Sequence, residues 1–425
     1  MSPLDQQGYG PVDRLLRSEQ GVLVVGKLGS IGEFEAVRGC LDLGDLLTTP
    51  EDKRTRKWAY GKTREEVHDK WLKLHEAARK GPVATTSPTL ADYLARWLEE
   101  VVRPELAPAT AANYEMFVRL YIVPTLGSKR LDKLTATDVR AWLHKLRETC
   151  QCCAQGKDAR RDERDRRCCA VGRCCGQVAS ERTCRDAWTT LRTALSNAVR
   201  EEIIPRNVAA LLRVSKPRKR RVKPWSVDEA RKFLVSARER RDPMYAAYVL
   251  ILVLGLRRGE VLGLRWADVD PDAQEIRIGR QLQRINSRLL HRETKTEASD
   301  AVLPLVDICT TALRERKRDQ EAARGAADEW TDNGLVFTTR TGQPIEPRNF
   351  NRSFATACDR AKVRRVPVHV CRKTCASLLV ALDVHPRVVM QILRHSQIAV
   401  TMDIYSEVST AATRRALRKL AEQLG

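Results

Sequence analysis

Seven polar residues in the C-terminal half of the sequence carry groups that complement one another. GLRRGEVLGLRW places Arg257 just past an apolar run, with Glu260 three residues on, within reach on the next turn of a helix. HRETKTEASDAVLPL sets Lys295 between two threonines, where a hairpin tip is expected. VPVHVCRKTCASLLV carries His369 and Arg372, three apart on one helical face. QILRHSQ supplies His395, and MDIYSEV supplies Tyr405, one of 8 tyrosines in 425 residues. Singly, each has an ordinary explanation: a surface ion pair, a chance helical pair, a solvated lysine, a packing tyrosine. Together they suit one problem, cutting a DNA phosphodiester without metal. Such a cut requires a nucleophile, a clamp for the non-bridging oxygens and a proton for the leaving 5′ oxygen. Tyrosine can form a covalent phosphoester that stores the bond energy. Two arginines donate paired hydrogen bonds to a phosphate and stay charged. Lysine suits the general acid, one histidine can exchange the tyrosine proton near neutral pH, and the other can donate to the phosphate. Glu260 would support the arginine site.

Competing chemistries lack their signatures. Metal-assisted phosphoryl transfer wants clustered carboxylates, and only scattered acids such as Glu260, Asp268 and Asp403 lie near these residues. No G-x-x-x-x-G-K-[ST] loop is present, so ATP is not implied. A DNA-binding regulator without catalysis remains the alternative class, but it has no need of a lysine, two histidines and a tyrosine in this arrangement.

The elements that must position these groups fall into blocks. Residues 225–425 open with the capping box Ser226…Glu229 and read as mostly helical, with a β-prone region between Ala273 and Leu305. Before them RVSKPRKRRVKP, residues 213–224, holds seven basic residues and no acidic one. Its prolines block regular helix, so it reads as a basic connector lying along a phosphate backbone through Lys216, Arg218, Lys219, Arg220, Arg221 and Lys223. Residues 85–212 predict a four-helix bundle. Its apolar faces are Leu90, Tyr93, Leu94, Trp97, Leu98 and Val101; Tyr114, Phe117, Val118, Tyr121 and Ile122; Val139, Trp142, Leu143 and Leu146; and Trp188, Leu191, Leu195 and Val199. Residues 1–80 combine β-prone pieces (GVLVVGK, RKWAYG) with a helix from Thr63 to Lys80 that carries Trp71, Leu72 and His75. The class is mainly α with small antiparallel sheets: a helical domain, a mixed α+β domain and a small N-terminal domain.

Composition narrows the setting. Lys and Arg number 76 against 54 Asp and Glu, a net charge of +22 that attracts polyanions and makes nucleic acid the default partner. The longest apolar run, Ala246 to Leu256, is far short of the ~20 residues that span a bilayer, so no membrane partner is expected. The first residues lack the pattern of a secretory signal, which points to the cytoplasm and its nucleoid. Eight of the 13 cysteines (Cys150, Cys152, Cys153, Cys168, Cys169, Cys174, Cys175 and Cys184) fall in an insertion at 149–185. In a reducing compartment such clusters bind metal, and a structural zinc site of one or two ions is expected. The charged run GKDARRDERDRR leaves a disordered, redox-labile loop as the alternative. No cofactor is expected for catalysis.

In order and spacing, Arg257, Lys295, His369, Arg372, His395 and Tyr405 resemble the active-site series of the tyrosine recombinases, the phage-integrase family, with GLRRGEVLGLRWADVD and TMDIYSEV especially similar. The first arginine of the family pattern matches Arg257, not Arg258. The likeness covers residues 85–425; residues 1–80 look more loosely like an arm-type DNA-binding domain. It implies a core-type DNA-binding domain and a catalytic domain that clamp a duplex attachment site. Tyr405 would form a 3′-phosphotyrosyl link, four subunits would exchange strands on two DNAs, and accessory proteins would set direction or bend the DNA. The activity implied is integration or excision of a mobile element. The tail after Tyr405, with Leu417, Leu420 and Leu424 at helical spacing, would dock on a neighbouring subunit. Several positions depart from the pattern. Arg394 stands where glycine is common and would put an extra cation near the phosphate. Leu254 replaces a common threonine, and Cys371 and Lys373 stand where leucine and histidine are more usual.

Overall fold

The computed structural model describes residues 14–18, 21–25, 32–37, 40–48, 54–61, 63–80, 87–215, 222–293, 300–395, 397–405 and 421–422. The fold is mainly α with small antiparallel sheets. It divides into two compact units, residues 1–102 with 114–216, and residues 103–113 with 217–425.

The first unit begins with a hairpin of β1 (Arg14–Ser18) and β2 (Gly21–Val25). A three-stranded antiparallel sheet follows, ordered β3 (Gly32–Val37), β4 (Cys40–Thr48), β5 (Arg54–Gly61). Helix α1 (Arg64–Lys80) packs on β4 and β5. Thr63 caps it, its Oγ1 accepting the Glu66 N–H at 3.2 Å. Val67 and Trp71, four apart, are its buried pair; Leu72, expected inside, is exposed, because a residue next to Trp71 points about 100° away from it. The His75 side chain lies outside the described residues.

The bundle opens with α2 (Leu90–Trp97), which passes through a π-helical turn at Leu98–Val102 into α3 (Arg103–Glu105). Leu90, Tyr93, Leu94, Trp97 and Leu98 are buried as the pattern predicts. The π turn inserts one residue per turn and shifts the face, so Val102 is fully buried and Val101 only half-buried. Next come α4 (Pro108–Phe117), a second π turn at Val118–Ile122, and α5 (Val123–Leu126). In α6 (Ala136–Glu148) a Thr135–Asp138 capping box precedes buried Val139, Trp142, Leu143 and Leu146. The short α7 (Gln151–Ala154) lies in the cysteine-rich insertion, and α8 (Glu181–Arg200) buries Ala187, Trp188, Leu191, Ala194, Leu195 and Ala198.

The second unit is built around α10 (Tyr245–Val253), whose residues 246–252 are all buried. A helix apolar on every side belongs at the centre of a core. Each fully buried Leu or Ile there contributes about 1.5–3 kcal/mol. Around it stand α9 (Val227–Glu239), α12 (Asp307–Gly325) and α14 (Val368–Ala381). Trp225 anchors the end of the connector: its ring stacks with Phe354 and meets Phe233 at a tilt, and its Nε1 donates to the Arg364 carbonyl at 2.8 Å. Between α10 and α12 lie α11 (Arg258–Leu262), β6 (Val269–Asp270), β7 (Glu275–Ile278), β8 (Arg280–Ile285), β9 (Arg288–Glu293) and β10 (Ala301–Pro304). These strands form two antiparallel sheets, β10-β7-β6 and the hairpin β8-β9. Helices α13 (Pro347–Arg360), α15 (Pro386–Leu393) and α16 (Ile398–Tyr405) complete the unit, with α16 against α14 and α15.

Candidate active site

The chain leaves α10 through Gly255, whose φ of 61° is left-handed and favours glycine. A Cβ there would stand 2.4 Å from Leu393 Cδ2. Arg257 then occupies the N-cap of α11. Glu260 reaches back: its Oε2 accepts the Arg257 backbone N–H at 2.8 Å, and its Oε1 accepts Nη1 of the same residue at 2.6 Å. The Glu260 side chain is 2% exposed and that of Arg257 44%, so the carboxylate is a buried post and the guanidinium faces outward. Two glycines bring α11 close to β8. A Cβ at Gly263 would come within 2.8 Å of the Gln281 backbone, and one at Gly259 within 3.1 Å of the Leu282 carbonyl oxygen.

Arg394 holds Glu260 from the other side. Its Nη2 donates to Oε2 at 2.7 Å and its Nη1 to the Ile392 carbonyl at 3.0 Å. Its side chain is 1% exposed. The extra cation expected near the phosphate is therefore a buried prop for Glu260, because the side chain turns inward to pair with that buried acid. Its backbone, at φ 52° and ψ 49°, is left-handed, which suits the glycine common at this position.

Arg372, on α14, donates through Nη1 to the Gly255 carbonyl and through Nη2 to the Leu393 carbonyl. Arg257 Nη2 donates to the Arg394 carbonyl at 3.4 Å. One turn at the end of α15 thus supplies acceptors to both arginines. Val389 and Leu393 fix it by packing against Cys375 and Ala376 of α14.

His395 follows that turn. Its Nδ1 lies 2.9 Å from Oγ1 of Thr401, which is fully buried on α16. Thr401 escapes the sequence reading; the one available signal is its position a helical turn before Tyr405. Tyr405 is the last residue of α16, and its side chain lies outside the described residues. His369 is exposed in the first turn of α14, three residues before Arg372. Lys295 lies outside the described residues, in the connection 294–299. The strands flanking that connection, β9 and β10, belong to different sheets and are not two arms of one hairpin; the hairpin tip is at Asn286 and Ser287.

Charge dominates the electrostatics. Burial raises the Glu260 pKa, but Arg394 and Arg257 outweigh it and hold the carboxyl below its usual range. Burial, then the neighbouring Arg257, pushes Arg372 down to about 9, still protonated at neutral pH. Burial, then Arg372, Arg257 and Arg394, pushes His395 down to about 4, so the imidazole is neutral at pH 7. Two guanidiniums, those of Arg257 and Arg394, engage both oxygens of one carboxylate, and Arg372 stands beside them bonded to backbone carbonyls.

Of the basic connector, Lys216, Arg218, Lys219, Arg220 and Arg221 lie outside the described residues. Lys223 is exposed, and its carbonyl accepts Arg364 Nη1 at 2.9 Å. In the insertion, Cys150, Cys152, Cys153, Cys168, Cys169, Cys174 and Cys175 come together. Cys184 does not join them. It is fully buried on the inner face of α8, with its Sγ toward the Ala179 carbonyl, because the helical period turns it into the bundle core.

Two family models match the chain: "Phage integrase family" over residues 209–412, and "Phage integrase, N-terminal SAM-like domain" over residues 89–147. A "Tyrosine recombinase XerC-like" protein of Caldanaerobacter subterraneus subsp. tengcongensis is 26% identical over 84% of this chain and 89% of its own. Among solved structures, the Tn1549 transposon integrase in complex with a circular intermediate DNA is 19% identical, with a TM-score of 0.61 over 79% of this chain and all of that one. A lambda integrase tetramer bound to a Holliday junction is 16% identical, with a TM-score of 0.50 over 85% of this chain and 91% of that one. Both structural likenesses speak to the fold. The fold, the two matched domains and the relatives agree: the chain belongs to the phage integrase family, the tyrosine recombinases.

Proposed function

We propose that the chain is a site-specific DNA recombinase that cuts and rejoins duplex attachment sites through a 3′-phosphotyrosyl intermediate, moving a mobile element into or out of its host DNA. The observation that carries this reading is the excess of fixed positive charge at the α11–α14–α15 junction, where, among the described residues, Arg257 and Arg394 pair with Glu260 while Arg372 bonds to backbone carbonyls. A phosphate gaining charge in the transition state is the anion such a site stabilises, and its donors are already oriented.

Tyr405 Oη attacks the scissile phosphorus as the P–O5′ bond breaks. Lys295 gives a proton to the departing 5′ oxygen. Arg257 and Arg372 hold the non-bridging oxygens, and His369 donates to one of them. His395 has Nδ1 engaged with Thr401, so Nε2 is its nitrogen for exchanging the tyrosine proton. The free 5′ hydroxyl then attacks the phosphotyrosine of a partner duplex, and no energy cofactor is consumed. Four copies act on two duplexes, with accessory proteins setting direction; a lambda integrase tetramer bound to a Holliday junction has a similar fold. The connector from Lys216 to Lys223 lies along the phosphate backbone, and residues 1–80 bind arm-type sites. Among the described residues no helix is long and apolar enough to cross a membrane. The DNA acted on is that of the cytoplasmic nucleoid.

The test is a nicked suicide substrate that carries the attachment site. Wild-type protein should form a denaturation-resistant adduct, and Tyr405→Phe should bind the same DNA without forming one. An adduct that persists in Tyr405→Phe, or none with wild type on any flanking sequence of the element, would overturn the reading.

A further inference from the structure

We propose that the insertion between α6 and α8 is a two-zinc centre held by seven thiolates, with Cys169 bridging the two ions. Two sets of four sulfurs converge, Cys150, Cys153, Cys169 and Cys174, and Cys152, Cys168, Cys169 and Cys175; within each set the sulfurs all lie within 4.8 Å of one another. Cys169 belongs to both sets. Within the sets the Sγ–Sγ distances are 3.8 Å for Cys150–Cys169 and Cys152–Cys168, 3.7 Å for Cys169–Cys175 and 3.6 Å for Cys153–Cys174; across them Cys150–Cys175 is 3.8 Å. Four thiolates each ~2.3 Å from one zinc stand about 3.8 Å apart at the corners of a tetrahedron. A disulfide would need about 2.05 Å. Two tetrahedra that share one corner use seven sulfurs, the number assembled here.

Apolar packing does not hold the insertion together. Between Gln151 and Val178 the buried residues are Gln151, Cys152 and Asp158, so no apolar core forms within it. Cys153, Cys174 and Cys175 are exposed, which a cluster gathered by apolar packing would avoid. The loop is shaped around the thiols by Asp158. Its carboxylate is fully buried and accepts backbone N–H groups from Arg167 at 3.3 Å, Cys168 at 2.9 Å and Ala170 at 3.1 Å, which fixes the Cys168–Cys169 doublet. Seven thiolates and two dications leave a net charge of about −3. From Lys157 to Arg173 seven basic residues accompany four acidic ones, an excess that offsets it.

Metal analysis of the full-length protein, purified under reducing conditions and read by native mass spectrometry, tests this. The expected result is two zinc ions per chain, with seven protons released on loading the metal-free protein at a pH where the thiols start protonated. Cys184→Ser should keep both ions. Cys169→Ser should lose at least one. Cobalt substitution should give the intense visible bands of tetrahedral thiolate sites at two equivalents. One ion per chain, an iron chromophore, or seven freely titratable thiols in the folded wild-type protein would each overturn the proposal.

Discussion

Arg394→Gly restores the residue common in the family, so resemblance alone predicts a harmless or stabilising change. The geometry predicts the reverse. The substitution relieves a left-handed backbone of about 1 kcal/mol. It also removes one of two cations from Glu260, a carboxylate that is 2% exposed. Breaking one side of a buried ion pair costs about 3–5 kcal/mol. Arg257 still accompanies Glu260 at 2.6 Å, which places the loss at the lower end, so the net destabilisation is about 2 kcal/mol. With a urea m-value of about 2–3 kcal/mol/M, the midpoint of the catalytic unit should fall by roughly 0.7–1 M. The diagnostic step is the double-mutant cycle with Glu260→Gln. In that background Arg394→Gly removes an unpaired buried cation and should be neutral or stabilising, a coupling of about 2 kcal/mol. If Arg394→Gly is as stable as wild type, or the coupling is near zero, Arg394 is not the internal prop of the site.

Three further changes probe the same junction. Thr401→Val keeps the shape of a fully buried residue but removes the oxygen beside His395 Nδ1; strand cleavage should fall about 10–100-fold with DNA binding unchanged, checked by single-turnover kinetics and gel shift. His395, with a folded pKa of about 4 against 6.5, should stay neutral in an NMR titration of the free protein down to about pH 4. Between pH 6.5 and 4 the unfolded chain takes a proton that the folded chain refuses, so stability falls as pH falls, by up to about 3 kcal/mol, and His395→Gln should flatten that slope. Gly255→Ala forces a Cβ into Leu393 at a left-handed position whose carbonyl accepts from Arg372, so cleavage and stability should both drop, the latter by about 1–3 kcal/mol in urea denaturation.

The sequence revealed much of this because periodicity and capping are local. The faces of α2, α6 and α8 and the Ser226–Glu229 box could be read directly, and the order of Arg257, Arg372, His395 and Tyr405 pointed to the family. Four features were not legible. The π turn at Leu98–Val102 moved burial from Val101 to Val102, since no residue type marks an extra residue in a turn. The inward turn of Arg394 and the Thr401–His395 contact join segments brought together only by the packing of α15 and α16 on α14. Proximity in sequence places Cys184 with the other cysteines, whereas helical phase sends it into the core.

The most direct measurement is peptide mapping of the trapped protein–DNA adduct. After nuclease and trypsin digestion, the residual nucleotide should ride on the peptide spanning residues 395–414, on Tyr405 as the phosphoester. A nucleotide found on any other residue would contradict the assignment of the nucleophile and the site geometry built around it.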